Sequence, residues 1–181
     1  MTIVPDSKDW TWVLRGPCPE CGADVGRIGR GEIAALIRQA DDVWREVLCS
    51  GDAALVERPR PEVWSAAEYG CHARDVYRVF GLRLNLIRTE DDPLFANWDQ
   101  DATAIAEDYA SQDPAVVGLE LAEAGEELAS AFDELDEGAW GRTGRRSDGA
   151  TFTAETLGQY LMHDVLHHLW DIGHPLPRPG S

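Results

Sequence analysis

The chain has 181 residues, room for one ordinary domain and short for two. It is 44% hydrophobic and 27% charged, a globular balance that excludes wholesale disorder and an all-membrane chain. Sixteen Lys+Arg against 33 Asp+Glu give a formal net charge of -17, which repels phosphate backbones and argues against a nucleic-acid partner. No apolar run reaches the roughly 18 residues that a membrane helix needs. The stretch MTIVPDSKDW has neither the basic start nor the apolar core of a secretory leader, so a soluble cytoplasmic domain is expected.

Residues 1–30 read as an arm on the surface. It carries Cys18-Pro19-Glu20-Cys21-Gly22, the shape of a single zinc knuckle, and a full ribbon needs a second. Three readings stand side by side: half of a four-ligand zinc site, a redox pair, or a turn with incidental thiols. The missing partners are not named by the spacing, and His174 is one candidate. Cys49 and Cys71 stand alone on helical stretches, and disulfides are not expected in a cytoplasmic protein.

Four stretches have helical periodicity and none alternates as a strand. The first runs from about Gly31 to Cys49, with a stripe of Ile33, Leu36, Ile37, Ala40, Trp44, Val47 and Leu48. Pro59 and Pro61 end the connection to the second, from about Ser65 to Thr89, where Ser65 and Glu68 have the spacing of a capping box. The third runs from Pro114 to Leu135 and the fourth from Thr153, its N-cap, to Ile172, stopped by Gly173 and Pro175. Four such helices in a short chain predict an all-α four-helix bundle over residues 31–174, followed by a tail at 175–181. Two connections are unusual. Residues 91–113 form a long acidic loop between the second and third helices, with Phe95, Trp98 and Tyr109 expected to pack across one end of the bundle. The segment GAWGRTGRRSDGA (138–150) predicts a turn or short hairpin.

Four of the five histidines lie after residue 162, and three sit in HDVLHHLWDIG. Residues four apart share a helix face, so this stretch holds two metal-competent pairs, His163 with His167 and Asp164 with His168. On the helical wheel His168 lies within the core face set by Leu157, Leu161, Val165 and Leu169, with Asp164 at its edge. His163 and His167 point nearly the opposite way. On the second helix His72 shares a face with Tyr69, Val76, Val79 and Phe80, which makes it an inward histidine. Two histidines and a carboxylate on facing helices make a three-ligand site with open positions, the pattern of a catalytic metal. The plainer alternative is a set of satisfied core histidines.

The stretch VWSAAEYGCHARDVYRVFGLRLNLIRTEDDP resembles the second helix of the DinB/YfiT-like superfamily in Trp64-Ser65, His72, Asp75, Arg83 and the exit from Thr89 to Pro93. TFTAETLGQYLMHDVLHHLWDI is similarly like that family's last helix. The resemblance implies a bundle holding a divalent metal (Zn, Ni, Mn or Fe) through one histidine of the second helix and two residues of the last. His72 takes the first position. Ungapped alignment puts Asp164 and His168 in the others, where many relatives have His for Asp164 and the isomerase branch has Glu; one inserted residue would select His163 and His167 instead.

The activity implied is that of a metal-dependent S-transferase using a low-molecular-weight thiol of the mycothiol or bacillithiol type as co-substrate, with an electrophilic small molecule as its partner. A non-catalytic, stress-related metal-binding bundle is the alternative. Trp98 and Tyr109 are candidates to cover the substrate. Arg142, Arg145 and Arg146 are candidates to bind a carboxylate, or else form a solvated turn. A homodimer is a further expectation, since bundles with exposed Trp often pair.

Overall fold

The computed structural model describes residues 9–177; residues 1–8 of the arm and 178–181 of the tail lie outside the described part. Four long helices form the bundle: α1 (Arg30–Leu48), α2 (Ala66–Thr89), α4 (Pro114–Asp133) and α5 (Ala154–Asp171), with a short α3 (Gln100–Ala106). Their ends follow local chemistry. Gly29 N–H donates to Glu32 Oε2 at the start of α1. At the start of α2 the Ser65 hydroxyl accepts from Glu68 N–H while Glu68 Oε2 accepts from Ser65 N–H. Pro114 opens α4, and Thr153 caps α5 by accepting from Thr156 N–H.

Around the bundle the helices run in the order α1, α4, α2, α5, so α2 and α5 are neighbours and share a seam. Trp44, Ile37, Leu84, Leu121, Phe132, Leu161 and Val165 are among the side chains that fill the core. Gly158 on α5 lets two helices approach closely: a Cβ there would lie 2.8 Å from Ile33 Cδ1 and 3.0 Å from Phe132 Cζ.

The structure departs from the sequence reading in three places. The 91–113 connection is more ordered than expected: it contains α3, capped by Asp99 Oδ1 accepting from Ala102 N–H, and a strand β1 (Leu94–Phe95). The segment expected as a turn or short hairpin is a hairpin, β2 (Thr143–Arg146) and β3 (Thr151–Thr153); the unexpected part is β1, which joins it in parallel to make a three-stranded sheet. Strands of two to four residues are too short to show alternation in a sequence. The arm, finally, is packed and not just laid on the surface. Val13, Cys18, Val25 and Ile28 are buried, and Gln159 of α5 donates to Ile28 O at 2.9 Å. Among the described residues no helix is long and apolar enough to cross a membrane.

Candidate metal centre

His72 is delivered by the second turn of α2, and Asp164 and His168 by one face of α5, a turn apart. One ligand atom of each lies within 4.8 Å of the others. His72 Nε2 is 3.1 Å from Asp164 Oδ1, and His168 Nε2 is 3.5 Å from the same oxygen. The structure therefore brings together the three residues selected from the sequence, with two imidazole nitrogens aimed at one carboxylate oxygen.

The surroundings favour coordination. Burial lowers the His72 pKa despite the opposing Asp164 carboxylate, so the ring is neutral and has a lone pair to offer. Burial alone would raise Asp164, but the facing His72 holds it below the ordinary carboxylate range, leaving an anionic oxygen. His168 Nδ1 sits 2.8 Å from Asp171 Oδ2. A carboxylate behind the outer nitrogen, with Nε2 turned to Asp164, is the arrangement that orients metal-bound histidines. Two imidazoles and a carboxylate match the donor set of catalytic zinc and related divalent centres, so these residues fit such an ion.

Aromatic rings wall the cluster. Trp98 stacks on His72 with ring planes 6° apart and centroids 5.3 Å apart, Trp64 lies 5.3 Å from the same ring, and Tyr69 lies 4.8 Å from His168. Trp64 is set by the α2 cap, where Arg58 pairs with Glu68 and holds that carboxyl below its usual range against its burial. A cavity of about 1330 Å³ opens above; Trp10 and Glu20 of the arm, Trp98, Arg146 of the hairpin, Asp164 and His168 are on its wall.

The other sequence candidates fall in different places. Arg145 does not line the cavity: its Nε pairs with Asp92 Oδ2 at 2.7 Å. Neighbouring strand residues point to opposite faces, and it is Arg146 that faces the cavity, paired with Asp148 at 2.7 Å. Arg142 donates from Nε to Ile87 O at 2.7 Å and also to Glu90 O, satisfying carbonyls at the end of α2. Tyr109 is buried away from the cavity, its hydroxyl donating to Asp75 Oδ2 at 2.6 Å. Asp75, Arg74, Gln112 and Glu120 complete a network that fastens this connection to α2 and α4.

His174 packs its Nδ1 against Pro175 O and takes no part in a cluster with the arm cysteines. Cys71 is buried, its thiol directed at Tyr109 O and Gln112. His163 and His167 do face away from the bundle core, yet the arm covers them and both are buried. Sequence reasoning did not see that cover, nor Trp10, whose ring lies 5.1 Å from His163 and 5.2 Å from His167.

A helical bundle whose adjacent helices present two histidines and a carboxylate to an open cavity defines the class. The chain belongs to the DinB superfamily, which matches it over residues 35–172. YfiT from Bacillus subtilis, described as a probable metal-dependent hydrolase with an unusual four-helix bundle topology, superposes with a TM-score of 0.66 at 17% identity, covering 81% of this chain and 89% of its own. The mycothiol-dependent maleylpyruvate isomerase, as itself and as a point mutant, gives a TM-score of 0.68 at 18% identity, covering 84% of this chain and 66% of its own. At such identities these likenesses establish the fold. No curated protein matches the sequence significantly.

Proposed function

We propose that the protein is a metal-dependent S-transferase that joins a small thiol to an electrophilic substrate in the cavity above His72, Asp164 and His168. The observation that carries this reading is the convergence of His72 Nε2, Asp164 Oδ1 and His168 Nε2 beneath a large open cavity, three donors with room for an exogenous one. A divalent ion held there supplies a site that lowers the thiol pKa and presents thiolate at neutral pH.

The chain's residues do the remaining work. In the reaction an S–C bond forms between thiol sulfur and electrophilic carbon as the bond from that carbon to its leaving group breaks; the leaving group takes the electron pair, and the thiol proton passes to it or to water. His72, fully buried under Trp64 and Trp98, is kept neutral and fixed in orientation. Asp171, 2.8 Å from His168 Nδ1, holds that ring in orientation. Trp98 and Tyr69 form apolar walls that shield the sulfur from water.

The polar part of the wall points to the kind of thiol. Glu20, Glu62, Asp99 and Asp171 line it, whereas Arg146 is the one arginine or lysine among the described lining residues and Asp148 neutralises it. Carboxylates accept hydrogen bonds from hydroxyl groups and repel other carboxylates. A thiol that bears hydroxyls and no carboxylate, such as mycothiol, therefore suits this cavity better than glutathione or bacillithiol, which carry carboxylates. The isomerase with the same fold is described as mycothiol-dependent, which is consistent with this choice.

Metal-loaded protein assayed for addition of mycothiol, bacillithiol and glutathione to a panel of electrophiles tests the reading. Turnover is expected with mycothiol first. Silence with all three thiols while metal is bound overturns it in favour of a non-catalytic metal-binding bundle.

A further inference from the structure

A second cluster stands beside the first and uses none of its residues. Cys18 and Cys21 of the arm meet His163 and His167 of α5, and one ligand atom from each lies within 4.8 Å of the others. Cys18 Sγ is 3.8 Å from His167 Nδ1 across 149 positions of sequence. A tetrahedral zinc with Zn–S near 2.3 Å and Zn–N near 2.0–2.1 Å requires an S···N edge of about 3.6 Å. His163 Nε2 is buried and has no hydrogen-bond partner. Buried polar groups are nearly always satisfied, so this nitrogen points to a ligand it has yet to receive.

The local backbone is shaped for the task. Cys18-Pro19-Glu20-Cys21-Gly22 closes into a tight turn in which Gly22 N–H donates to Cys18 O and Cys18 N–H to Ala23 O, each at 2.8 Å. Gly22 has a φ of +77°, a left-handed conformation that glycine adopts without strain. On the far side of His167, Nε2 faces Glu20 Oε2 at 3.6 Å and Asp171 Oδ1 at 3.9 Å. A carboxylate behind a histidine's outer nitrogen is the usual means of orienting a metal-bound ring.

We propose that Cys18, Cys21, His163 and His167 form a closed, four-coordinate zinc site that fastens the N-terminal arm to α5. Two thiolates and two neutral imidazoles suit zinc over harder cations, and four protein ligands make the site structural. On binding, the two thiol protons pass to solvent, so Zn²⁺ and two thiolates make a neutral complex that tolerates burial. The two centres interleave on α5: positions 163 and 167 serve the arm, positions 164 and 168 the bundle, about 100° apart on the helix. The arm it fastens carries Trp10 and Glu20 of the cavity wall.

Elemental analysis and cobalt substitution of the purified full chain test this. The intact protein is expected to hold two metal equivalents, His72→Ala one, and the double variant Cys18→Ser/Cys21→Ser one. Cobalt-loaded intact protein and His72→Ala should show thiolate-to-cobalt charge transfer in the near ultraviolet, absent from the double variant. The intact protein gives a readout that does not depend on any variant folding: the number of thiols that react with a disulfide reagent should rise by two on adding a chelator. Cobalt-loaded His72→Ala without that charge transfer overturns the proposal. So do cysteines that react equally with and without chelator, the sign of incidental thiols, and a thiol pair that appears only after adding reductant, the sign of a redox couple.

Discussion

Asp171 stands at the last turn of α5 with one oxygen 2.8 Å from His168 Nδ1 and the other 3.9 Å from His167 Nε2. One carboxylate thus faces the outer nitrogens of two consecutive histidines that belong to different clusters. Removing such a partner from a metal-bound histidine costs about 10–100-fold in metal affinity or activity. Asp171→Asn should weaken metal binding by about that factor at the His72 centre, where the contact is short, and by less at the cysteine centre. Competition with a chromophoric chelator measures both, and equal weakening at the two centres, or none, would refute the assignment.

Trp98 stacks on His72 from the connection after α2, with its indole Nε1–H donated to Thr103 Oγ1 at 2.8 Å. Trp98→Ala should open the cavity floor to water and remove an apolar wall, while leaving the three donors in place. The expected result is unchanged metal stoichiometry with kcat/KM for thiol transfer down about tenfold or more, which corresponds to at least 1.4 kcal/mol in the transition state. Trp98→Phe should recover much of it. Loss of metal from Trp98→Ala would show that the indole instead supports the ligands.

What the sequence disclosed about this site depended on periodicity. Helical spacing turns positions into faces and makes His72, Asp164 and His168 inward-facing candidates, and the structure brings them together. The pairing of Cys18 and Cys21 with His163 and His167 was beyond that logic although both halves were visible. It depends on an aperiodic arm folding back over 149 positions, and the wheel reports only that those histidines leave the bundle core. Arg145 and Arg146 were inseparable for a similar reason. Which one faces the cavity is decided by strand register, set here by Leu94 opposite Arg145 and Phe95 opposite Arg146.

Gly158 offers a test of the packing that sets α5, and with it both clusters. An alanine there gains about 1 kcal/mol of helix propensity. Its Cβ, however, would meet Ile33 at 2.8 Å and Phe132 at 3.0 Å within a filled core, and overpacking of this kind costs about 1–3 kcal/mol. Gly158→Ala should therefore be neutral to destabilising by about 2 kcal/mol in urea unfolding. A variant more stable than the parent would mean that the core yields more easily than this packing implies.

Asp41 lies in α1, nearly buried, beside the Tyr77 hydroxyl. Burial is the main reason its carboxyl is pushed up to about 8; Asp42 and Glu126 raise it further, and Tyr77 and Arg38 only partly offset the rise. In the unfolded chain the same group has a pKa of about 3.9. The folded state thus holds the proton more tightly. The contribution of Asp41 to stability is complete below about pH 4 and is lost as pH rises toward 8, the window between the two pKa values. Asparagine is neutral throughout that window. Asp41→Asn should therefore gain on the parent as pH increases, its relative stability rising by about 2–4 kcal/mol between about pH 5 and pH 8. Urea unfolding of both proteins at the two pH values measures the change. A difference that stays constant between them would show that Asp41 is ionised in the folded protein at both.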